Sequence, residues 1–208
     1  MRLLRPAAVV GALALGLILG GCSTTTVHKE GNPADVVNQG YVSGDGSTRT
    51  WPVSSRKGPV ALSGTSFEGA KVDVADWRGH VVVLNTWYAN CAPCRAEASD
   101  LAKISTQYAP KGVEFVGVNG TDDTGAAQAF QSHFGVPYPS IHDTDGSAIA
   151  SLQGTVPVNA VPTTVFLDAG GKVAARILGL ADPSTVRTVL DSLVAEAGGS
   201  SPTGGSTP

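Results

Sequence analysis

The chain is poor in cysteine, aromatic residues and charge. Three cysteines in 208 residues cannot build a disulfide-dense scaffold. Charged residues make up 15% of the chain, and there is no basic run. With a formal net charge of −3, it offers a nucleic-acid backbone no electrostatic footprint. The cysteines are joined by no second CxxC and no histidine pair. His28, His80, His133 and His142 are scattered, so the four-ligand set of a structural zinc site is missing. The apolar run from Ala7 to Leu19 is about 13 residues, short of the ~20 that cross a bilayer as a helix. No internal repeat is visible.

What is present has a clear order. Arg2 and Arg5 precede the apolar run and small residues follow it, the layout of a secretory signal peptide. "LGGC", Leu19 to Cys22, resembles the lipobox of bacterial lipoproteins. That resemblance implies cleavage before Cys22 and a diacylglyceryl group on its sulfur, and two acyl chains suffice for stable anchoring. An uncleaved anchor or an ordinary signal peptide are the alternatives. With Cys22 lipidated, only Cys91 and Cys94 remain, in an extracytoplasmic compartment where disulfides persist. Residues 23–57 are polar and rich in Ser, Thr and Gly, and read as a tether following the lipidated Cys22. Residues 198–208 read as a disordered tail. The folded domain is expected over 58–197, with the signal peptide over 1–21.

Within that domain the pattern alternates. "VALSGTSFEGAKVDVADW" predicts a hairpin with glycine turns. "VVVLNTWY" (81–88) and "VEFVGVN" (113–119) are short β-branched runs, the mark of strands buried on both faces. Helices are expected from Cys91 to Tyr108 and over 124–134. "YPSIHD" and "SAIASLQG" give a short strand and a short helix. "TTVFLD" and "KVAARILG" flank the turn "AGG". Asp182 and Pro183 are the N-cap and first residue of a last helix. Strands alternating with helices imply an α/β fold with a covered sheet.

The informative stretch is "LNTWYANCAPCRAE", residues 84–97. It places a CxxC after a buried strand and at a helix start, where unpaired N–H groups and the helix dipole favour a thiolate. Cys91, at the exposed edge, is the expected attacking thiolate. Cys94, three residues on, is placed to close a disulfide and release a partner. Pro93 suits the first turn, where its missing N–H costs nothing. A staple over so short a ring would constrain the unfolded chain little, and a metal clip lacks further ligands. A redox pair is the reading that remains.

These residues resemble the thioredoxin superfamily, and more narrowly the TlpA/ResA-type membrane-anchored thiol-disulfide oxidoreductases. The resemblance runs from about Val60 to Ala197 and rests on the CxxC segment, "GVEFVGVN", "VPTTVFLDAGGKV" and the final helix. It implies a thioredoxin fold, a central mixed β-sheet flanked by helices, with an N-terminal hairpin and an αβ insertion before a cis-proline. It implies that the Val161–Pro162 bond is cis, lies beside the disulfide, and offers the Val161 backbone to an extended substrate. Trp87 and Pro93 are the other candidate substrate-contacting residues. Asn85 stands where thioredoxin has a buried acid, as is common in the TlpA/ResA branch. Glu97 matches the glutamate of "CxxCxxE" and is implied to tune or shuttle the Cys94 proton. A solvated helix glutamate is the alternative. Two positions depart: Asn90 replaces the tryptophan often found before the first cysteine, and Ser99 replaces a proline.

The resemblance favours a reductase acting on exported protein disulfides, apocytochrome c among them, with no cofactor beyond the Cys91–Cys94 pair and no metal. Its electrons would come from a membrane thiol carrier of the CcdA/DsbD type. A thiol oxidase that introduces disulfides is the alternative, and Ala92-Pro93 does not decide between them. A thiol peroxidase would carry Thr and Pro where this chain has Tyr88 and Leu84. A copper-delivery protein would space its cysteines by three and add a histidine, for which His142 is the sole candidate.

Overall fold

A computed structural model describes residues 37–199. The signal-peptide segment, Cys22 and the tail from 200 onward lie outside the described residues. In chain order the elements are β1 (Thr48–Thr50), β2 (Ser63–Thr65), β3 (Lys71–Asp73), β4 (Val81–Thr86), α1 (Ala92–Tyr108), β5 (Val113–Asn119), α2 (Thr124–Phe134), β6 (Ser140–His142), α3 (Ser147–Ala150), β7 (Thr163–Leu167), β8 (Val173–Leu178) and α4 (Pro183–Gly199). A mixed sheet runs in the order β1-β8-β7-β4-β5-β6, and β2 and β3 form a separate hairpin. β4, β5 and β6 are parallel, whereas β7 and β8 return antiparallel.

The β-branched run of β4 explains its central place. Every residue of β4 is buried, and successive side chains leave opposite faces. Val81 and Val83 join one core with Leu101, Ile104 and Tyr108 of α1 and Val186, Leu190 and Leu193 of α4. Val82 and Leu84 join the other with Val116, Val118, Leu62 and Val72. Both faces are therefore covered, as a parallel centre requires. Tyr108 Oη donates to Asp191 Oδ1 at 2.7 Å, tying α1 to α4. After α1, Pro110 lies in a 3₁₀ turn closed by Gly112 in the left-handed region (φ 75°), where a side chain would be strained.

The fold is the expected thioredoxin fold: after β1 come the β2–β3 hairpin, β4-α1-β5, the inserted α2 and β6, and β7-β8-α4. The Val161–Pro162 peptide is cis. Asp182 Oδ1 accepts from the amides of Ser184 (3.0 Å) and Thr185 (2.9 Å), as its N-cap reading requires.

The tether expected over 23–57 needs correction for its described part. Val37 is fully buried among the α1/α4 core. β1 pairs antiparallel with β8. The physical reason is Arg56, whose guanidinium is fully buried. Nη1 donates to Asp168 Oδ2 (2.9 Å) and Glu196 Oε1 (2.7 Å), and Nη2 donates to Glu196 Oε2 (2.8 Å). Arg56 thereby joins the N-terminal segment to the β7–β8 turn and to α4.

Candidate functional site

β4 leads straight into the site. Its last residue, Thr86, is followed by Trp87, Tyr88, Ala89 and Asn90, and then by Cys91 as the N-cap of α1. Cys91 Sγ accepts from the Cys94 amide at 3.2 Å, so the sulfur takes one of the orphan donors of the helix start. Cys91 and Cys94 are joined in a disulfide, with Cα atoms 5.2 Å apart. Asn90, Ala92 and Pro93 around it are exposed.

Cys91 differs from the expectation of an exposed edge. In this oxidised form it is 2% exposed, and Cys94 is 1% exposed. Both pack with Phe67, Trp87, Ala98, Ala127 and Phe130. The inserted α2 supplies Ala127 and Phe130, and the hairpin-to-turn segment supplies Phe67. Sequence spacing along α1 alone could not show that these elements cover the sulfurs.

Trp87 packs in this cluster, stacked on Phe130 with ring centroids 4.3 Å apart. Its Nε1 donates to Ser140 Oγ at 3.2 Å. A Cβ at position 117 would collide with both Trp87 Nε1 and Ser140 Oγ, so Gly117 in β5 is what lets the indole lie against the sheet.

Glu97 lies one turn beyond Cys94 on α1 and is 2% exposed. Asn85 Nδ2 donates to its Oε1 at 2.9 Å, and the Ala181 amide donates to its Oε2 at 2.7 Å. Asn85 also donates to Thr164 Oγ1 at 3.2 Å. Burial pushes the Glu97 carboxyl up to about 7, against the two hydrogen bonds, which favour the ionised form. This is a buried carboxyl, not a solvated helix glutamate.

Val161 and Pro162 come to the same end of the sheet. Thr86 of β4 is paired with Thr163 of β7, and the Thr163 amide donates to Thr86 Oγ1 at 2.8 Å. The cis bond thus precedes the strand that flanks β4 where β4 turns toward Cys91. Val161 is 45% exposed. A cleft of about 650 Å³ opens beside it, lined by Trp87, Thr121, Asp145, Asn159, Ala160 and Val161.

Two supports were not read from the sequence. Asp122 Oδ2 accepts from the Ala89 amide at 2.6 Å and from Asn119 Nδ2 at 2.8 Å. It therefore ties the loop before Cys91 to the end of β5. "NGTDD" signals a turn by its composition, but not the loop it holds. The second support is the 179–181 segment. The Gly179 amide donates to the Pro162 carbonyl at 2.8 Å, Leu180 is 54% exposed, and Ala181 holds Glu97. Nothing in "GLADP" marks that role.

A CxxC disulfide capping the first long helix, with a cis-proline at the end of the neighbouring strand, defines a thioredoxin-fold disulfide protein. The Redoxin family model matches residues 52–193, and the chain belongs to that family. Its kinship within the family is of the TlpA/ResA type. It is 31% identical over 115 residues to the thiol-disulfide oxidoreductase ResA of Bacillus thuringiensis (strain Al Hakam), covering 55% of this chain. The match spans 64% of that relative's length. Among solved structures, a secreted thiol-disulfide isomerase from Corynebacterium glutamicum is 32% identical with a TM-score of 0.67, covering 75% of this chain and 97% of that one. A DsbF homologue from Corynebacterium diphtheriae is 29% identical with a TM-score of 0.64, covering 74% and 97%.

Proposed function

We propose that the protein is an extracytoplasmic, lipid-anchored thiol-disulfide oxidoreductase that reduces disulfides in exported proteins. The observation that carries this reading is the Cys91–Cys94 disulfide at the N-cap of α1, with buried Glu97 one turn further on. In the reduced protein, the Cys91 thiolate attacks one sulfur of a substrate disulfide. A mixed disulfide forms and the first substrate thiolate leaves. Cys94 gives its proton to Glu97 and attacks Cys91 Sγ. The mixed disulfide breaks, the second substrate thiolate leaves, and the Cys91–Cys94 disulfide remains. Two electrons have passed to the substrate.

Each residue has a stated part. The helix start stabilises the Cys91 thiolate. Glu97, with a pKa of about 7, is poised to exchange a proton near neutral pH. Asn85 holds that carboxyl without competing for its proton. An extended substrate segment pairs with the Val161 backbone beside the cleft, a strand-addition contact, with Trp87 and Pro93 bordering it. Regeneration needs a dithiol donor, and a membrane thiol carrier of the CcdA/DsbD type supplies that chemistry. Apocytochrome c, which must keep its haem-binding thiols reduced, is the substrate that fits a TlpA/ResA-type reductase.

Insulin reduction by the purified protein tests the activity. Cys91→Ser should abolish it, and Cys94→Ser should trap a mixed disulfide. Retained turnover in Cys91→Ser would overturn the reading. In cells lacking the protein, lost holocytochrome c should return on adding dithiothreitol; rescue by cystine instead would favour the oxidase. Fatty-acid labelling tests the anchor: uptake of label should vanish in Cys22→Ala.

A further inference from the structure

The chain has only five phenylalanines and three tryptophans, and it gathers three of the former and one of the latter around the disulfide. Phe67, Trp87 and Phe130 share a cluster with Cys91 and Cys94, and half-buried Phe134 packs against it. The rings run in a row across the site. Phe67 and Trp87 have centroids 6.4 Å apart, Trp87 and Phe130 4.3 Å, and Phe130 and Phe134 4.6 Å. Pairs at these separations attract beyond their burial. Arg95 Cζ lies 5.0 Å over the Phe134 ring and closes the row on α1. The cysteines are thereby 2% and 1% exposed, although Asn90, Ala92 and Pro93 beside them are exposed. Thiol exchange needs the opposite, because its rate depends on access to the sulfur under attack.

The inserted α2 is the lightly seated part of this cover. Its buried residues are Ala127, Phe130 and Gln131. Gln131 Nε2 reaches the Tyr138 carbonyl at 3.4 Å, and its Oε1 is buried with no partner among the described residues. A buried acceptor left unpaired is costly, so the closed position of α2 carries a penalty that opening relieves. Gln128, an exposed residue of α2, donates from Nε2 to the Phe67 carbonyl at 3.3 Å. This bond latches α2 to the segment that supplies the other side of the cover. A narrow apolar face, an unsatisfied buried group and a latch at the surface are the features of an element that opens locally at low cost.

We propose that Phe130 determines which thiols reach the Cys91–Cys94 disulfide: it excludes hydrophilic thiols and yields to a polypeptide thiol flanked by an apolar side chain, which takes its place against Trp87. This rests on the thiol-disulfide reading above and concerns the regeneration step. A donor thiolate attacks Cys91 Sγ and forms a mixed disulfide. The Cys91–Cys94 bond breaks, and Cys94 leaves as a thiolate and takes up a proton. A second donor thiolate attacks the donor sulfur of the mixed disulfide, and Cys91 leaves as a thiolate. Two electrons have entered the protein, and the donor departs as its own disulfide. The first attack is the one that meets the cover. A hydrophilic thiol leaves the uncovered Trp87 face in water, whereas an apolar flanking side chain buries it again.

The test reduces the oxidised full-length protein in detergent with excess thiol and reads the rate by acid quench and alkylation. The thiols are glutathione, the smaller 2-mercaptoethanol, and the capped dipeptides N-acetyl-phenylalanyl-cysteine amide and N-acetyl-seryl-cysteine amide. Phe130→Ala should raise the glutathione rate about tenfold and the mercaptoethanol rate by less. A merely weakened disulfide would raise both by the same factor. Phe130→Leu keeps an apolar cover and should stay near the wild type. Gln128→Ala alters an exposed side chain, so it keeps the test open should Phe130→Ala fail to fold. It should raise the ratio of the glutathione rate to the mercaptoethanol rate. The wild type should react faster with the phenylalanyl dipeptide than with the seryl one. The proposal is overturned if that ratio is unchanged in Gln128→Ala, if it is unchanged in a folded Phe130→Ala, or if the two dipeptides react alike. These rates are read on the protein's own disulfide, so the cover can fail while insulin reduction proceeds, and can hold where insulin is not reduced.

Discussion

Glu97 and Ala181 stand 84 positions apart in the chain and are joined by a 2.7 Å hydrogen bond from a backbone amide to a buried carboxyl oxygen. The same segment binds the Pro162 carbonyl through Gly179 and exposes Leu180 between the two contacts. The Glu97 carboxyl and the cis-proline are thus held by one stretch of three residues.

The Glu97 carboxyl binds its proton more tightly in the folded protein than in the unfolded chain, with a pKa of about 7 against an ordinary 4.5. Its contribution to stability is therefore greatest below pH 4.5 and is lost as pH rises to 7. The loss is about 3 kcal/mol. Asn85 and the Ala181 amide face this carboxyl, and buried Tyr138 feels its charge, which raises the phenol further beyond its own burial. Urea unfolding of the oxidised protein from pH 4.5 to 8 should show this slope, and Glu97→Gln should lack it. An unchanged slope in Glu97→Gln would assign the pH dependence elsewhere.

Asp122 accepts the Ala89 amide, two residues before Cys91. Asp122→Ala leaves that amide and Asn119 Nδ2 without this acceptor, a loss of about 1–3 kcal/mol. Hydrogen exchange at Ala89 should accelerate, and the rate of thiol exchange at Cys91 should fall. Asp122→Asn, which keeps one acceptor oxygen, should recover much of both.

Arg56→Ala strands Asp168 and Glu196 without their guanidinium partner. Breaking a buried pair in this way costs about 3–5 kcal/mol. Urea unfolding should show that loss, with faster exchange at β1 amides. A change below 1 kcal/mol, on the order of an exposed pair, would contradict the clamp.

The parts of the fold legible in the sequence are those whose physics is local. The fully buried β4 reads from its β-branched run, and α2 from its pattern over 124–134. The helix start at Cys91 reads from the strand-to-helix change. What was not legible depends on distant partners. β1 is three polar residues, too short for a period, and exists because β8 pairs with it. The burial of Cys91 comes from Phe67 and Phe130 on other elements. The bonds of Glu97 to Ala181 and of Ala89 to Asp122 reach loops whose sequences carry only turn chemistry. Composition marked 23–57 as a tether because it cannot register that a single arginine, Arg56, meets two acids far along the chain.

The most direct test is the equilibrium reduction potential of the Cys91–Cys94 pair in the full-length protein, read in a dithiothreitol and glutathione buffer series. A reductase of exported disulfides requires a two-electron transition below about −230 mV, on the thioredoxin side of the scale. A potential above about −180 mV would make the protein an oxidant. The absence of a two-electron transition would contradict the redox pair itself.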